Sequence, residues 1–363
     1  MTNTDIPDRM QAMVLTGHGG LDAYEWHDDW PVPAPGDHEL LIRVGACGLN
    51  NTDVNTRTGW YSKAVREATT GTPHDRIDTD DPAWGGTPIA FPRIQGADVV
   101  GRVVAVGPHT DPSFVGKRVM VDGWLRDWSD PSKMEATGYF GSECDGGFAQ
   151  YTKADPRGVM VVQSDLSDAE LATFQCGFTT AEGMLTRAGV AVGDTVLVPG
   201  ASGGVGGALV QLAKRRGARV IAMASEAKHD TLRAVGPDLL LPRAPDDLRS
   251  ALGDEKVTVV ADVVGGPYWP RLIDVLERGG RYTCSGAIAG PMVEFDLRTF
   301  YLRDLTFTGS TIIPTHVFPD IVTYIERGEL RPALAATYPL RDLRAAQQAF
   351  IDKQHTGNIV VIP

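Results

Sequence analysis

The chain has 363 residues, about twice the length of a typical domain, so two domains are expected. Hydrophobic residues make up 42% and charged residues 22%, the balance of an ordinary globular protein. Acids outnumber bases 46 to 34, a formal net charge of -12, which excludes the basic footprint that nucleic-acid or anionic-membrane binding needs.

Cys47, Cys144, Cys176 and Cys284 form no CxxC pair, so neither a disulfide scaffold nor a structural zinc lobe is supported. The N-terminus, Thr2-Asn3-Thr4-Asp5-Ile6-Pro7-Asp8, lacks the basic and apolar regions of a signal peptide. No uncharged apolar run is long enough to cross a bilayer, and the expected location is cytoplasmic.

In chain order, residues up to 163 alternate short apolar runs with Gly and Pro punctuation. The runs 40–44, 99–106, 117–121 and 158–162 read as strands of a barrel-like β domain. From residue 194 the rhythm changes to strand, helix, strand. Candidate strands are 195–198, 218–222, 238–241, 257–261, 281–284 and 305–308, with amphipathic segments such as 208–214 and 272–276 between them. Right-handed crossovers make these a doubly wound, parallel six-stranded sheet, so the class is α/β. After Pro314 come helices at 317–326 and around 343–350 and a strand at 359–362. This tail is expected to return to the first domain.

The first strand of the second half runs into Gly200-Ala201-Ser202-Gly203-Gly204-Val205-Gly206 and then a helix. This is a GxGxxG fingerprint with Ala201 at the first glycine. Gly203 admits a pyrophosphate to the backbone, Gly206 lets the helix pack on the sheet, and the helix N-terminus offers amides to phosphate. A strand before it and a βα series after it favour a nucleotide site over a flexible loop. NAD sites carry a carboxylate about 20 residues further on. Here the stretch reads Ala222-Met223-Ala224-Ser225-Glu226-Ala227-Lys228. A small residue, the Ser225 hydroxyl and the Lys228 cation suit a 2′-phosphate, so NADP(H) is the expected cofactor. Two alternatives stand: Lys228 as an ordinary exposed helix-start lysine, and Glu226 as a ribose carboxylate one residue out of register.

These residues and those around them resemble the medium-chain dehydrogenase/reductases, more narrowly their zinc-independent, quinone-oxidoreductase-like branch, over nearly the whole chain. The markers are Gly45-Ala46-Cys47-Gly48-Leu49-Asn50-Asn51-Thr52-Asp53, Gln95-Gly96-Ala97-Asp98-Val99-Val100-Gly101, Asp145-Gly146-Gly147-Phe148-Ala149-Gln150-Tyr151 and Thr179-Thr180-Ala181. Gly265-Gly266, Ser285-Gly286-Ala287-Ile288-Ala289-Gly290 and Gly357-Asn358-Ile359-Val360 extend the match. The resemblance implies a GroES-like β-barrel catalytic domain, residues 1–163 and 312–363, around a Rossmann NAD(P)-binding domain, residues 164–311. It also implies an active site in the cleft between them and a homodimer through the last Rossmann strand, near 305–308.

Zinc-dependent relatives hold their metal with a Cys, a His-Glu pair and a second Cys. Matched onto this chain, the first Cys is Asn50 and the His-Glu pair is Ala97-Asp98. Only Cys176 stands at a ligand-like position, where it also reads as a buried hinge thiol. Catalytic zinc takes three protein ligands and an open position, so no metal is expected. Without a Lewis acid, a conjugated acceptor is the easier hydride target, because the developing charge delocalises. The resemblance places Asn50 and Tyr61 beside the nicotinamide as candidate catalytic residues, Asn50 also touching the cofactor. Tyr61 reads as an acid or as a packed aromatic, and Asp53 as an orienting group or a turn residue bonding backbone amides. Thr180 matches a threonine beside the nicotinamide, or caps a helix. Val264, Ala287 and Ile288 stand at strand ends, where backbone groups meet the ribose and carboxamide.

The stretch between Tyr61 and Pro92 is longer than in short quinone-reductase-like chains and reads as a lid or pocket wall, or as disorder. Trp124, Trp128 and Tyr139 read as a further aromatic wall or as barrel rim. The expected function is an NADPH-dependent oxidoreductase delivering hydride to an activated C=C bond or a quinone of a small-molecule substrate. The alternatives are an alcohol or aldehyde dehydrogenase with an atypical metal at Cys176 and Asp98, and a catalytically silent NADPH-binding protein.

Overall fold

Two sheets meeting at a shared core organise the chain in the computed structural model, which describes residues 6–74, 88–130, 133 and 136–363. The N-terminal half supplies β1 (Arg9–Leu15) and β2 (Tyr24–Pro31), an antiparallel ribbon, then β3 (Leu40–Gly48), α1 (Asn51–Thr58), β4 (Asp98–Val106) and β5 (Arg118–Val121). A hairpin of β6 (Trp124–Arg126) and β7 (Ala136–Tyr139) follows, then β8 (Tyr151–Ala154) and β9 (Val159–Val161). Helices α2 (Asp168–Leu171) and α3 (Gln175–Arg187) lead into the second sheet.

That sheet is built from β10 (Thr195–Pro199), α4 (Gly204–Arg215), β11 (Arg219–Ala224), α5 (His229–Arg233), β12 (Leu239–Pro242), α6 (Leu248–Leu252), β13 (Val257–Asp262), α7 (Trp269–Asp274), β14 (Leu276–Cys284), α8 (Leu297–Tyr301) and β15 (Thr306–Gly309). All six strands are parallel, in the order β12-β11-β10-β13-β14-β15. The reason lies in the strands' composition. Along β10, β11 and β13, Val196, Val198, Val220, Ala222, Val259 and Ala261 pack into one apolar layer, and Leu197, Ile221, Met223 and Val260 into the other. Strands buried on both faces need apolar residues at every position and helices on both sides, which parallel crossovers supply. The order reverses between β10 and β13, and the crevice beyond their carboxyl ends is where such sheets bind ligands.

The chain then forms α9 (Val317–Glu326), β16 (Leu334–Pro339), α10 (Leu343–Asp352) and β17 (Asn358–Ile362). The first sheet reads β16-β17-β3-β4-β5-β9, with β8 also on β3, so the last two strands do return to the N-terminal half. Two expectations change here. The tail divides: Phe318, Ile321, Val322 and Ile325 of α9 pack with α3 and α4 on the six-stranded sheet, whereas Ile313 and Val317 already pack into the N-terminal core. The segment 272–276 is not one helix. The helix α7 stops at Asp274, and β14 starts at Leu276, so that strand has nine residues, not the four expected. Among the described residues no helix is long and apolar enough to cross a membrane.

Candidate active site

The site grows from three chain segments that the first sheet brings together. β3 runs out at Gly48 beside Asp98, the first residue of β4. A Cβ on Gly48 would lie 2.3 Å from the Ala172 carbonyl oxygen, so glycine is what lets the strand touch the segment leading into α3. Asn50 then takes an extended conformation and starts α1, and its N–H donates to Asp53 Oδ2 at 2.8 Å. The Asp53 side chain reaching back to the N-cap is half of a capping box. The turn reading of Asp53 is the one the geometry supports.

Asp98 is fully buried, and its Oδ1 accepts the Cys176 N–H, in the first turn of α3, at 3.0 Å. Asp98 Oδ2 and Asn50 Nδ2 are both buried, and the Asn50 amide acts on the Asp98 carboxyl as a hydrogen-bond donor too loosely placed to be a full bond. Burial pushes both carboxyls up to about 7, Asp98 adding to the rise at Asp53, and no cation is among the groups acting on either. The Cys176 thiol is pushed up to about 12 by burial and by Asp98, against the hydroxyls of Tyr139 and Thr180, which bond it. Half-buried Tyr61 points its phenol at the side chains of Asn55 and Thr52, and burial raises it to about 12. Cys176 and Asp53 also act on Tyr61, so Asn50, Asp53, Tyr61, Asp98, Cys176 and Thr180 form one cluster.

Tyr139 is the member that sequence reasoning missed as a site residue. Its ring sits where a Cβ on Gly123 would lie 2.8 Å away, and Trp124 meets it edge-on with centroids 4.9 Å apart. Its phenol is held well above its usual value, first by burial and then by Cys176 and Asp98. The aromatic wall expected of Trp124, Trp128 and Tyr139 therefore splits. Tyr139 joins the cluster, whereas Trp124 and Trp128 line a separate cavity of about 570 Å³ with Trp30 and Phe140.

On the second sheet the loop after β10 has the form that holds a dinucleotide. Gly200 lies at φ 67°, and a Cβ on Gly206 would stand 2.2 Å from the Gly200 carbonyl oxygen. A Cβ on Gly203 would meet only that oxygen, at 3.6 Å, so its outer face is open. The helix α4 begins at Gly204 with no side-chain cap, which leaves the amides of Gly204, Val205 and Gly206 as the unpaired N–H groups of a helix start. Ala201 is buried, its N–H bonded to the Met223 carbonyl. The Ser202 carbonyl accepts the Gly357 N–H, and Asn358 Oδ1 occupies the space a Cβ on Gly204 would need. The C-terminal segment thus closes over the loop.

At the neighbouring strand ends, the Val264 N–H donates to Asp262 and its carbonyl accepts from Ala289. Ile288 donates to Val263 and accepts from Thr69 at 2.9 Å. Of the three strand-end residues expected to offer backbone groups, Ala287 alone keeps an N–H with no acceptor among the described residues. The Thr69 bond also brings the start of the long stretch after Tyr61 against Ile288 of the second sheet; the Asp75-to-Asp81 acids and Trp84 lie outside the described residues.

Lys228 does not present a free ammonium. Its Nζ donates to the carbonyls of Lys353 and His355, at 2.7 Å each. Ala224 ends β11 at the position where a ribose carboxylate stands in NAD sites, Ser225 follows it exposed, and Glu226 lies beyond the strand. A metal fits the cluster poorly: an amide, one carboxyl and a thiol held protonated by its surroundings stand where relatives place three ligands. Among the described residues no three His, Cys, Asp or Glu side chains converge as a metal set.

Two family models match the chain: "Alcohol dehydrogenase GroES-like domain" over residues 36–164 and "Zinc-binding dehydrogenase" over residues 204–327. A solved structure from Sinorhizobium meliloti, described as a "putative alcohol dehydrogenase", is 43% identical, with 99% of this chain and 98% of that chain covered and a TM-score of 0.90. The NADPH-dependent alkenal/one oxidoreductase of Arabidopsis thaliana chloroplasts is 26% identical, covering 99% of this chain and 81% of the relative. The quinone oxidoreductase of Lama guanicoe is 25% identical, covering 97% of each. The chain belongs to the medium-chain dehydrogenase/reductase superfamily. It is an oxidoreductase of that superfamily, with a GroES-like domain and a Rossmann sheet.

Proposed function

We propose that this protein is an NADPH-dependent reductase that delivers hydride to an activated C=C bond or a quinone, without catalytic zinc. The observation that carries the reading is the donor set at the metal position of relatives: Asn50, Ala97-Asp98 and a Cys176 thiol already bonded by Tyr139 and Thr180. The loop 200–206 and the amides of α4 would hold the pyrophosphate, Thr180 and the Ala287 N–H the nicotinamide end. Bound there, the nicotinamide supplies or accepts a hydride.

The chain's own residues then have two tasks. The Asn50 side-chain amide, which already acts as a donor toward Asp98, is placed to donate to the acceptor oxygen of a conjugated substrate. The phenol of Tyr61, held by Asn55 and Thr52 and within reach of Cys176 and Asp53, is the proton-bearing group of the same cluster. Alkenal and quinone oxidoreductases among the relatives support this substrate class.

A homodimer fits the same reading. β15 ends the six-stranded sheet, and Met292, Leu297, Tyr301 and Leu302 near it are more than half exposed, at 55%, 68%, 60% and 56%. An unpaired sheet edge beside an apolar patch is the surface a second copy of the sheet covers.

The test is metal content and turnover on one preparation. Protein dialysed against a strong chelator should contain far less than one equivalent of zinc and keep its NADPH-driven turnover of an enone. Stoichiometric zinc whose removal abolishes turnover would support the atypical metal site at Cys176 and Asp98 instead.

A further inference from the structure

The cavity lined by the β6–β7 hairpin lies apart from the cluster. It measures about 570 Å³, within the range of small-molecule pockets, and Asn50, Asp98, Tyr139 and Cys176 are not among its lining residues. Trp30 of β2, Trp124 of β6, Trp128 just beyond it and Phe140 after β7 all face this one space. Trp124 and Phe140 are buried, and Trp30 and Trp128 half-buried. Three indoles and a phenyl ring make a wall suited to flat rings.

The polar groups of the lining are incompletely matched. Thr152 of β8 is 2% exposed, and its Oγ1 has no hydrogen-bond partner among the described residues. The Nε atoms of Arg93 and Arg126 are likewise buried without an acceptor. Each guanidinium is otherwise engaged: Arg93 Nη1 donates to Asp145 at 2.8 Å, and Arg126 donates to the Ile313 carbonyl and to Asp122. Three buried donors in one lining thus lack an acceptor, which is costly unless an occupant supplies it. Charge limits what that occupant can be. Lys153 pairs with Glu39, so the three cations of the lining are matched one to one by acids. Glu143 and Asp155 add two more carboxylates, and these too are engaged, by the Tyr139 N–H and by Arg157. An anion would therefore add to an acidic excess, and a cation would leave the three donors unanswered.

We infer that this cavity is a second ligand site, for an uncharged, flat aromatic molecule of one or two rings that carries a carbonyl oxygen. The rings lie against the indoles, and the oxygen accepts from the Thr152 hydroxyl and the neighbouring guanidinium N–H groups. The site does not depend on the reaction proposed above, because no residue of the cluster or of the loop 200–206 lines it. Trp124 is the wall that separates the two, since it lines the cavity and meets Tyr139 of the cluster edge-on.

Isothermal titration calorimetry of the full chain with 2-naphthamide tests the assignment, with 2-naphthoate and 2-naphthylmethylammonium as its anionic and cationic counterparts. The amide should bind at least about tenfold more tightly than either ion, and equally well when the protein is saturated with NADPH. Thr152→Val, close in shape but without the hydroxyl, should weaken it about three- to tenfold, the scale of one hydrogen bond, without lowering the melting temperature. Trp128→Ala, which lies outside the strands, should weaken it at least as much. Both variants should keep the NADPH affinity of the unmodified protein. Competition by NADPH, or an affinity unchanged in both variants, would place the probe outside this cavity and overturn the assignment. Tighter binding of either ion would overturn the uncharged class, and no binding of any of the three would overturn the site itself.

Discussion

Replacing Asp98 by Asn should make the protein more resistant to unfolding in alkaline solution than in acid, relative to the unmodified chain. Asp98 is buried with no cation acting on it, and its carboxyl is lifted from an ordinary 3.8 to about 7. A carboxyl raised in the folded state holds its proton there while the unfolded chain releases it. Stability from this group is therefore full below the unfolded value, falls as pH climbs from about 4 to about 7, and is flat above that. At about 1.4 kcal/mol per pH unit, the full cost of ionising the buried group is about 4 kcal/mol. Between pH 5 and pH 8 the unmodified protein should lose about 2–3 kcal/mol from this source. Asparagine keeps an oxygen to accept the Cys176 N–H, now 3.0 Å away, but cannot ionise. The advantage of Asp98→Asn should thus grow by about that amount across the interval. Urea titrations at several pH values measure it. A variant whose stability differs from the unmodified protein by the same amount at pH 5 and pH 8 would refute the reasoning.

Other consequences can be checked separately. Gly206→Ala puts a Cβ 2.2 Å from the Gly200 carbonyl oxygen and should cost about 1–3 kcal/mol or more, with weakened dinucleotide binding, read by melting temperature and calorimetry. Cys176, pushed up to about 12, should react with iodoacetamide at pH 8 far more slowly in the folded protein than in urea. Asp98→Asn should speed that reaction, because Asp98 is the largest charge raising the thiol. Leu297→Glu with Leu302→Asp should shift sedimentation from dimer to monomer while leaving the far-UV spectrum unchanged.

The six-stranded sheet was readable because its strands are apolar on both faces and its glycine loop sits between a strand and a helix. The α7 boundary was not: Leu272, Ile273 and Leu276 all enter the same core layer, so their hydrophobicity does not mark where helix gives way to strand. In the site, Asn50, Asp98 and Cys176 were legible from the family resemblance, which aligns them with the metal ligands of zinc-dependent relatives. What surrounds them was not. Tyr139 reaches Cys176 only because the β6–β7 hairpin folds back, with Gly123 clearing room for the ring. Lys228 looked like a free cation because its acceptors lie 125 and 127 residues away in sequence.

The reaction proposed for the protein is reduction of conjugated acceptors with NADPH. Steady-state kinetics of the purified protein on a panel of quinones, enones, aldehydes and simple alcohols, with NADPH and NADH in turn, tests it most directly. kcat/KM should be highest for an enone or quinone with NADPH, and unchanged by added zinc. Turnover confined to plain alcohols with NAD and dependent on zinc would contradict it.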